Sequence, residues 1–290
     1  MTATPRAAVL PERWFRTLPD SSGLERSRVL ARSLIPLAEL DRHIAFHEDL
    51  LGVPASLRMP IPDFGGLELA AVGDLLLIAS ERPFTPVQRR TAYSLIVPSL
   101  TDELTRLEDT GTTVLEPVES ILPGARARVR YPDGTLAELV EHRPQPGEIP
   151  RPPSVPEGRV PSGVRVLARR AVPRAGFTEM VELYEELLAT AAGPRGRGAA
   201  AVGNVLVVAD DASSHEGDEG DEGVRVALLA PDAAAADAIR QLIAEGGEFG
   251  QNAARNVTLI GGTRAELWNA DDLDGAGVIA TPAGAAYRTG

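Results

Sequence analysis

The sequence contains no cysteine. Disulfides, thiolate nucleophiles, iron–sulfur clusters and cysteine-ligated zinc are excluded, and the redox compartment stays undetermined. It contains no lysine either: all 29 basic residues are arginine. No Schiff base can form on a side-chain amine, and the phosphate-binding lysine of a Walker-A loop is missing. Aromatic residues make up 4%, so the core must rest on Leu, Val, Ile and Ala. No apolar run approaches the roughly 20 residues that span a bilayer. The opening segment MTATPRAAVLPERWFRTLPD has no apolar signal-peptide region. The expectation is a cytoplasmic protein without a membrane partner. Acidic residues exceed basic ones by 41 to 29, for a net charge of −12. That balance argues against a nucleic-acid partner, although a local arginine patch is compatible with it.

The chain has 290 residues, 43% hydrophobic and 24% charged. This is the composition of a globular protein with two domains at roughly 100–200 residues each. Arginine-only basicity with abundant Ala, Gly and Pro marks a high-GC coding sequence of the actinobacterial type. Residues 1–27 read as an N-terminal arm interrupted by Pro5, Pro11 and Pro19; Trp14 and Phe15 either pin it to the body or leave it loosely docked. Residues 143–163 are dense in Pro and Gly and read as a semi-rigid linker. They separate a first domain, 28–142, from a second, 164–270. The acidic stretch 210–223 reads as a solvated loop, and 271–290 as a tail.

An internal repeat organises both domains. Arg28-Val29-Leu30-Ala31-Arg32, with Pro36 after it, recurs as Arg165-Val166-Leu167-Ala168-Arg169, with Pro173 after it. Each segment is strand-like and leads into an amphipathic helix, about Glu39–Leu51 and Thr178–Ala189, with Gly52 at the first helix end. Ala71-Val72-Gly73-Asp74-Leu75 through Ala79 recurs as Ala201-Val202-Gly203-Asn204-Val205 through Ala209. Gly-Asp and Gly-Asn between apolar runs are hairpin signals. A strand near Tyr93–Val97, Pro98, a helix to Glu108 and Gly111 match Arg225–Ala230, Pro231, a helix to Glu245 and Gly246. The closing strands match as Gly134-Thr135-Leu136-Ala137-Glu138-Leu139 and Gly262-Thr263-Arg264-Ala265-Glu266-Leu267. Each half reads βαβββ–βαβββ, an α+β fold of tandem paired modules.

Two segments carry a family resemblance. Leu40-Asp41-Arg42-His43-Ile44-Ala45-Phe46-His47-Glu48-Asp49-Leu50-Leu51-Gly52 resembles the first helix of the vicinal oxygen chelate superfamily, the glyoxalase, bleomycin-resistance and dioxygenase group. Tyr131-Pro132-Asp133-Gly134-Thr135-Leu136-Ala137-Glu138-Leu139-Val140-Glu141 resembles its closing segment. The resemblance implies βαβββ modules paired around a pocket. In metal-dependent members it implies His, Gln or Glu on the first, fourth, fifth and eighth strands of a domain. Here those positions fall on Arg32, near Leu77–Ile78, near Ala92, and on Glu138. Only the carboxylate survives, and the second half repeats the loss with Arg169 and Glu266. One carboxylate beside a guanidinium is a poor cation site, so no metal and no cofactor are expected.

Arg32 and Glu138 either form an ion pair that replaces a metal site, or Arg32 anchors a ligand oxygen while Glu138 accepts a hydrogen bond or a proton. The same alternatives apply to Arg169 and Glu266. Tyr93 is a candidate pocket-lining residue or a core residue. Arg126, Arg128 and Arg130 share one strand face, solvated or, if turned inward, favouring an anionic ligand. His43 and His47, at i,i+4 with Glu39 a turn earlier, lack the second histidine of a zinc-protease helix and read as structural. His142 reads as solvated, and His215 lies in the acidic loop. Gly196-Arg197-Gly198 precedes a strand rather than opening a helix, which is the wrong context for a dinucleotide loop. No Gly-x-Ser-x-Gly elbow is present.

Three functions fit these residues. The first is metal-independent binding of a small apolar or aromatic molecule, a natural product or xenobiotic, as in bleomycin-resistance-type sequestration. The second is a metal-free isomerase, cyclase or lyase with Glu138 as general base and Arg32 stabilising negative charge. The third is a metal-dependent oxygenase or lyase with other ligands. A homodimer is compatible with all three.

Overall fold

The computed structural model describes residues 13–61, 66–151, 161–196, 198–209, 225–245, 250–251 and 255–273. The acidic stretch 210–223 and the tail beyond 273 lie outside the described residues, as do 152–160 of the linker.

The first domain runs β1 (Trp14–Phe15), β2 (Arg28–Pro36), α1 (Leu40–Leu51), β3 (Leu57–Ile61), β4 (Leu67–Val72), β5 (Leu75–Ser80), α2 (Pro86–Arg90), β6 (Thr91–Ile96), α3 (Leu100–Glu108), β7 (Thr113–Ile121), β8 (Gly124–Arg130) and β9 (Leu136–Glu141). The second runs β10 (Arg165–Val172), α4 (Phe177–Leu187), β11 (Ala192–Gly196), β12 (Ala199–Val202), β13 (Val205–Ala209), β14 (Val226–Ala230), α5 (Ala233–Glu245), β15 (Gly250–Gln251), β16 (Asn256–Thr258), β17 (Arg264–Asn269) and α6 (Ala270–Leu273). Among the described residues no helix is long and apolar enough to cross a membrane.

Each domain is one sheet. The orders are β1-β3-β4-β5-β2-β6-β9-β8-β7 and β11-β12-β13-β10-β14-β17-β16-β15. Without β1, the second order repeats the first, strand for strand. In each sheet the leading strands of the two modules pair antiparallel at the centre (β2 with β6, β10 with β14), and each pairs parallel with the last strand of its own module. This is the paired βαβββ arrangement implied by the family resemblance. Residues 13–27 of the N-terminal arm are docked: Trp14 and Phe15 pair with Arg58 and Leu57 of β3, and buried Ser21 donates to Val97 O at 2.6 Å.

The repeated arginines at the start of β2 and β10 have a local role. Arg28 donates to Gly73 O at 2.7 Å and to Asp74 Oδ1 at 2.6 Å. Arg165 donates to Gly203 O at 3.0 Å and to Asn204 Oδ1 at 2.8 Å. Each braces the hairpin that its strand pairs beside, and each hairpin glycine has φ +56°, a conformation that glycine adopts without a Cβ penalty.

Strand alternation gives each sheet two faces. One packs on the helices. Val29, Ala31, Leu77, Leu95 and Leu139 join Leu40 and Leu50 of α1 in a core that continues into Val166, Leu228 and Tyr184 of the second domain. The opposite, inner face of the first sheet carries Leu30, Leu76, Ile78, Ile96 and Val140, with Leu34, Leu57, Phe84 and Ile121 packed on it. Leu76, Ile96 and Val140 keep 7%, 8% and 7% exposure while their neighbours Leu77, Leu95 and Leu139 keep none. The inner face is therefore the one nearer to solvent.

The two domains meet through reciprocal contacts. Tyr184 of α4 donates to Asp133 Oδ2 at 3.3 Å, and Arg170 Nε reaches the same oxygen at 3.2 Å. On the other side, His43 of α1 lies against Gly261, where a Cβ would come within 2.7 Å of the imidazole Nε2. Both His43 and His47 are buried, and His47 Nδ1 stands 2.7 Å from the His43 carbonyl. His142, expected in solvent, is half-buried. Its amide donates to Ser21 Oγ at 3.0 Å, and burial, reinforced by Arg143 and Arg28, pushes its pKa down to about 4.

Candidate functional site

A row of directly paired residues crosses five strands of the first sheet. Leu30 of β2 faces Ser94 of β6, Ser94 faces Glu138 of β9, Glu138 faces Arg128 of β8, and Arg128 faces Glu116 of β7. The next row brings Ile96, Val140, Arg126 and Glu119 together in the same order. Arg32, two residues beyond Leu30, shares the inner face. Sheet register alone thus gathers polar groups onto an otherwise apolar surface.

Glu138 is the hub. Arg32 Nη1 lies 3.4 Å from its Oε2, and Ser94 Oγ donates to the same oxygen at 3.2 Å. Arg126 Nη1 and Arg128 Nη2 reach its Oε1 at 3.2 and 3.4 Å. Arg128 also pairs with Glu116, while Arg126 holds Glu119 at 2.8 Å and Glu116 at 3.2 Å. Three guanidiniums therefore face three carboxylates. Burial alone would raise the Glu138 pKa; Arg32, Arg128 and Arg126 together outweigh it and hold the group below the ordinary carboxylate value. Burial lowers the Arg32 pKa, Glu138 opposes that shift, and nearby Arg128, Arg225 and Arg126 add to it. The Nε atoms of Arg32 and Arg128 are buried without an acceptor, so each guanidinium retains donor capacity.

The structure brings Arg32 and Glu138 together and leaves Tyr93 out. Ser94 points to the inner face, so adjacent Tyr93 points to the other one. Its ring packs in the helix-side core, 6.3 Å from Tyr131. A pocket-lining role for Tyr93 does not hold. Arg126 and Arg128 turn inward rather than forming a solvated face, and only Arg130 remains exposed. The fifth-strand position opposite Glu138 is Ser94, not Ala92.

In the second domain Arg169 Nε lies 2.8 Å from Glu266 Oε2. There the companions differ. Ala227 and Asn256 flank Glu266 in the sheet, where the first domain has Ser94 and Arg128. Trp268, at the place of Val140, donates its indole N–H to Glu266 Oε2 at 2.9 Å. The Arg255 guanidinium stacks 3.9 Å from the Trp268 ring centroid. Trp268 packs with Leu167, Leu206, Leu229 and Leu273, so its own indole fills this inner face.

The donors do not fit a divalent ion. The inner-face positions that the resemblance assigns to ligands hold Arg32, Leu76 or Ile78, Ser94 and Glu138. Among the described residues no three His, Asp or Glu side chains form a group that could hold a metal. A cation placed at Glu138 would meet three guanidiniums.

No family model matches the chain, and no curated protein matches it. Solved structures do show similarity. An uncharacterized protein from Methanosarcina mazei is 31% identical, covering 41% of this chain and 95% of its own, with a TM-score of 0.38. The trihydroxybiphenyl dioxygenase of Sphingomonas wittichii strain RW1 is 13% identical, covering 87% of this chain and 91% of its own, with a TM-score of 0.46. The dioxygenase LapB of Pseudomonas sp. KL28 is 14% identical, covering 88% and 93%, with a TM-score of 0.45.

Proposed function

We propose that the chain is a metal-independent binding protein that takes a small, largely apolar or aromatic molecule on the inner face of its first sheet, as a protein sequestering a natural product or xenobiotic would. The observation that supports this most is the state of Glu138. Both of its oxygens are engaged by arginines, and their charges hold it ionised. A general base works best with a pKa near the operating pH and a lone pair open to the substrate proton. Glu138 has neither, and serves instead to order the guanidiniums. Apolar walls around a few fixed donors are the makeup of a ligand site. The first domain is the binding half in this reading, because the second fills its face with Trp268.

Fluorescence titration with phenylnaphthylamine, a neutral apolar reporter, in the presence of a chelator tests the reading. Saturable binding is expected, with the probe recovered unchanged. Val140→Trp, which copies the second domain, is expected to weaken binding at least about tenfold by filling the site. Absence of binding, dependence on a metal, or conversion of the probe contradicts the proposal.

A further inference from the structure

We propose that Arg126 and Arg128 form an anion subsite at the mouth of this inner face, and that Glu116 and Glu119 occupy it until a ligand's acidic group displaces them. The inference rests on the binding reading above and narrows it to organic acids, with an apolar or aromatic body and one carboxylate or sulfonate.

Burial is graded along the row. The side chains of Arg128 and Arg126 are 5% and 15% exposed, whereas those of Glu116 and Glu119 are 37% and 51% exposed. The cations belong to the interior and the anions to the surface. Guanidinium desolvation is common to either acceptor, so exchanging Glu116 for a ligand carboxylate leaves that cost unchanged. The released carboxylate regains water. Water reaches the carboxylate half of each pair and screens its attraction, and a planar guanidinium fork suits bidentate capture of an incoming acid.

The backbone that carries the two carboxylates suits displacement. β7 is the edge strand of its sheet. Its pairing with β8 shifts register between Val114 and Glu116 and again between Glu116 and Glu119. Such irregularities interrupt the ladder and re-aim side chains. Arg128 Nε is buried and unpartnered, so the guanidinium has a donor that its present carboxylates do not use. The second domain has Asn256 at the place of Arg128, opposite Glu266. The subsite belongs to the first domain.

The test compares two fluorescent probes that differ by one anionic group: anilinonaphthalene sulfonate and neutral phenylnaphthylamine. In the Glu116→Gln/Glu119→Gln variant of the full chain, the sulfonate is expected to bind at least about tenfold more tightly, a difference of roughly 1.4 kcal/mol. The neutral probe is expected to change less than about twofold. Adding Arg126→Gln to that variant is expected to cancel the gain. If the neutral probe binds and the sulfonate does not tighten, the subsite is refuted while the binding reading stands. Equal gains for both probes mean a loosened fold and also refute it. If neither probe binds any form, the binding reading falls and the subsite with it.

Discussion

Arg128 stands directly opposite Glu138 in the β8–β9 ladder, with 3.4 Å between Nη2 and Oε1. The pair sits between Ser94 on one side and Glu116 on the other, so it joins the interior of the sheet to its exposed edge. Ser94, Glu116, Glu119 and Arg126 lie on the pair's own strands or the adjoining ones, and Arg32 reaches Glu138 from β2, across β6.

Glu138 holds three cations in place, and its removal is expected to affect stability more than chemistry. Glu138→Gln leaves Arg32, Arg126 and Arg128 without their shared counter-charge. Breaking a buried pair by removing one partner costs about 3 kcal/mol or more. A drop of several degrees in the melting temperature is expected by calorimetry. A variant that melts like the parent contradicts this role.

The Asp133–Tyr184 contact ties α4 to the first domain. Tyr184→Phe removes a hydroxyl that reaches Asp133 at 3.3 Å and Thr135 at 3.2 Å. The expected loss is about 1 kcal/mol. Asp133→Ala also takes the partner of Arg170 and is expected to split a single calorimetric transition into two. An unchanged single transition counts against Asp133 as a domain tether.

His47 sets an acid limit. Burial pushes its pKa down to about 4, partly offset by its bond to the His43 carbonyl. The folded state thus binds its proton later than the unfolded chain, whose value is near 6.5. The stabilisation is complete above that value and is lost as pH falls from about 6.5 toward 4, by roughly 3 kcal/mol. Urea melts across this range should show the fall, and His47→Gln should remove its share, leaving the part due to His142, whose pKa burial also holds at about 4.

Gly261 and His43 should be coupled. Gly261 has φ +64°, in the left-handed region, and faces the imidazole. Gly261→Ala is expected to destabilise by about 1–3 kcal/mol through backbone conformation and collision. Adding His43→Ala should return the collision part only. A double-mutant cycle with no coupling refutes the contact.

The repeat made much of this architecture legible in the sequence. Apolar alternation, the Gly73-Asp74 and Gly203-Asn204 turns and the matched Glu138 and Glu266 segments fix strand order through local chemistry. The Arg32–Glu138 pair followed, because both residues occupy matched positions in both halves. The direction of Arg126 and Arg128 was hidden. Alternating arginines on a strand look solvated, and only the cross-strand presence of Glu138 shows which way they turn. Both roles of Tyr93 stay open in the sequence because an irregularity between Thr91 and Tyr93 interrupts simple alternation along β6; Ser94 turns inward, and Ala92 and Tyr93 both pack on the helix-side core. Helix α2 has five residues, too few for a periodic signal; its legible mark is the Thr85–Gln88 capping box. The role of Arg28 and Arg165 as hairpin braces was written in the repeat itself, as an arginine that recurs with the Gly-Asp or Gly-Asn turn it holds.

A crystal structure of the chain with anilinonaphthalene sulfonate tests the central claim most directly. The account predicts the naphthalene against Leu76, Ile96 and Val140, the sulfonate on Arg126 and Arg128, and no metal ion bound there. A metal ion held on this face by other donors, or the probe bound only in the second domain, would contradict it.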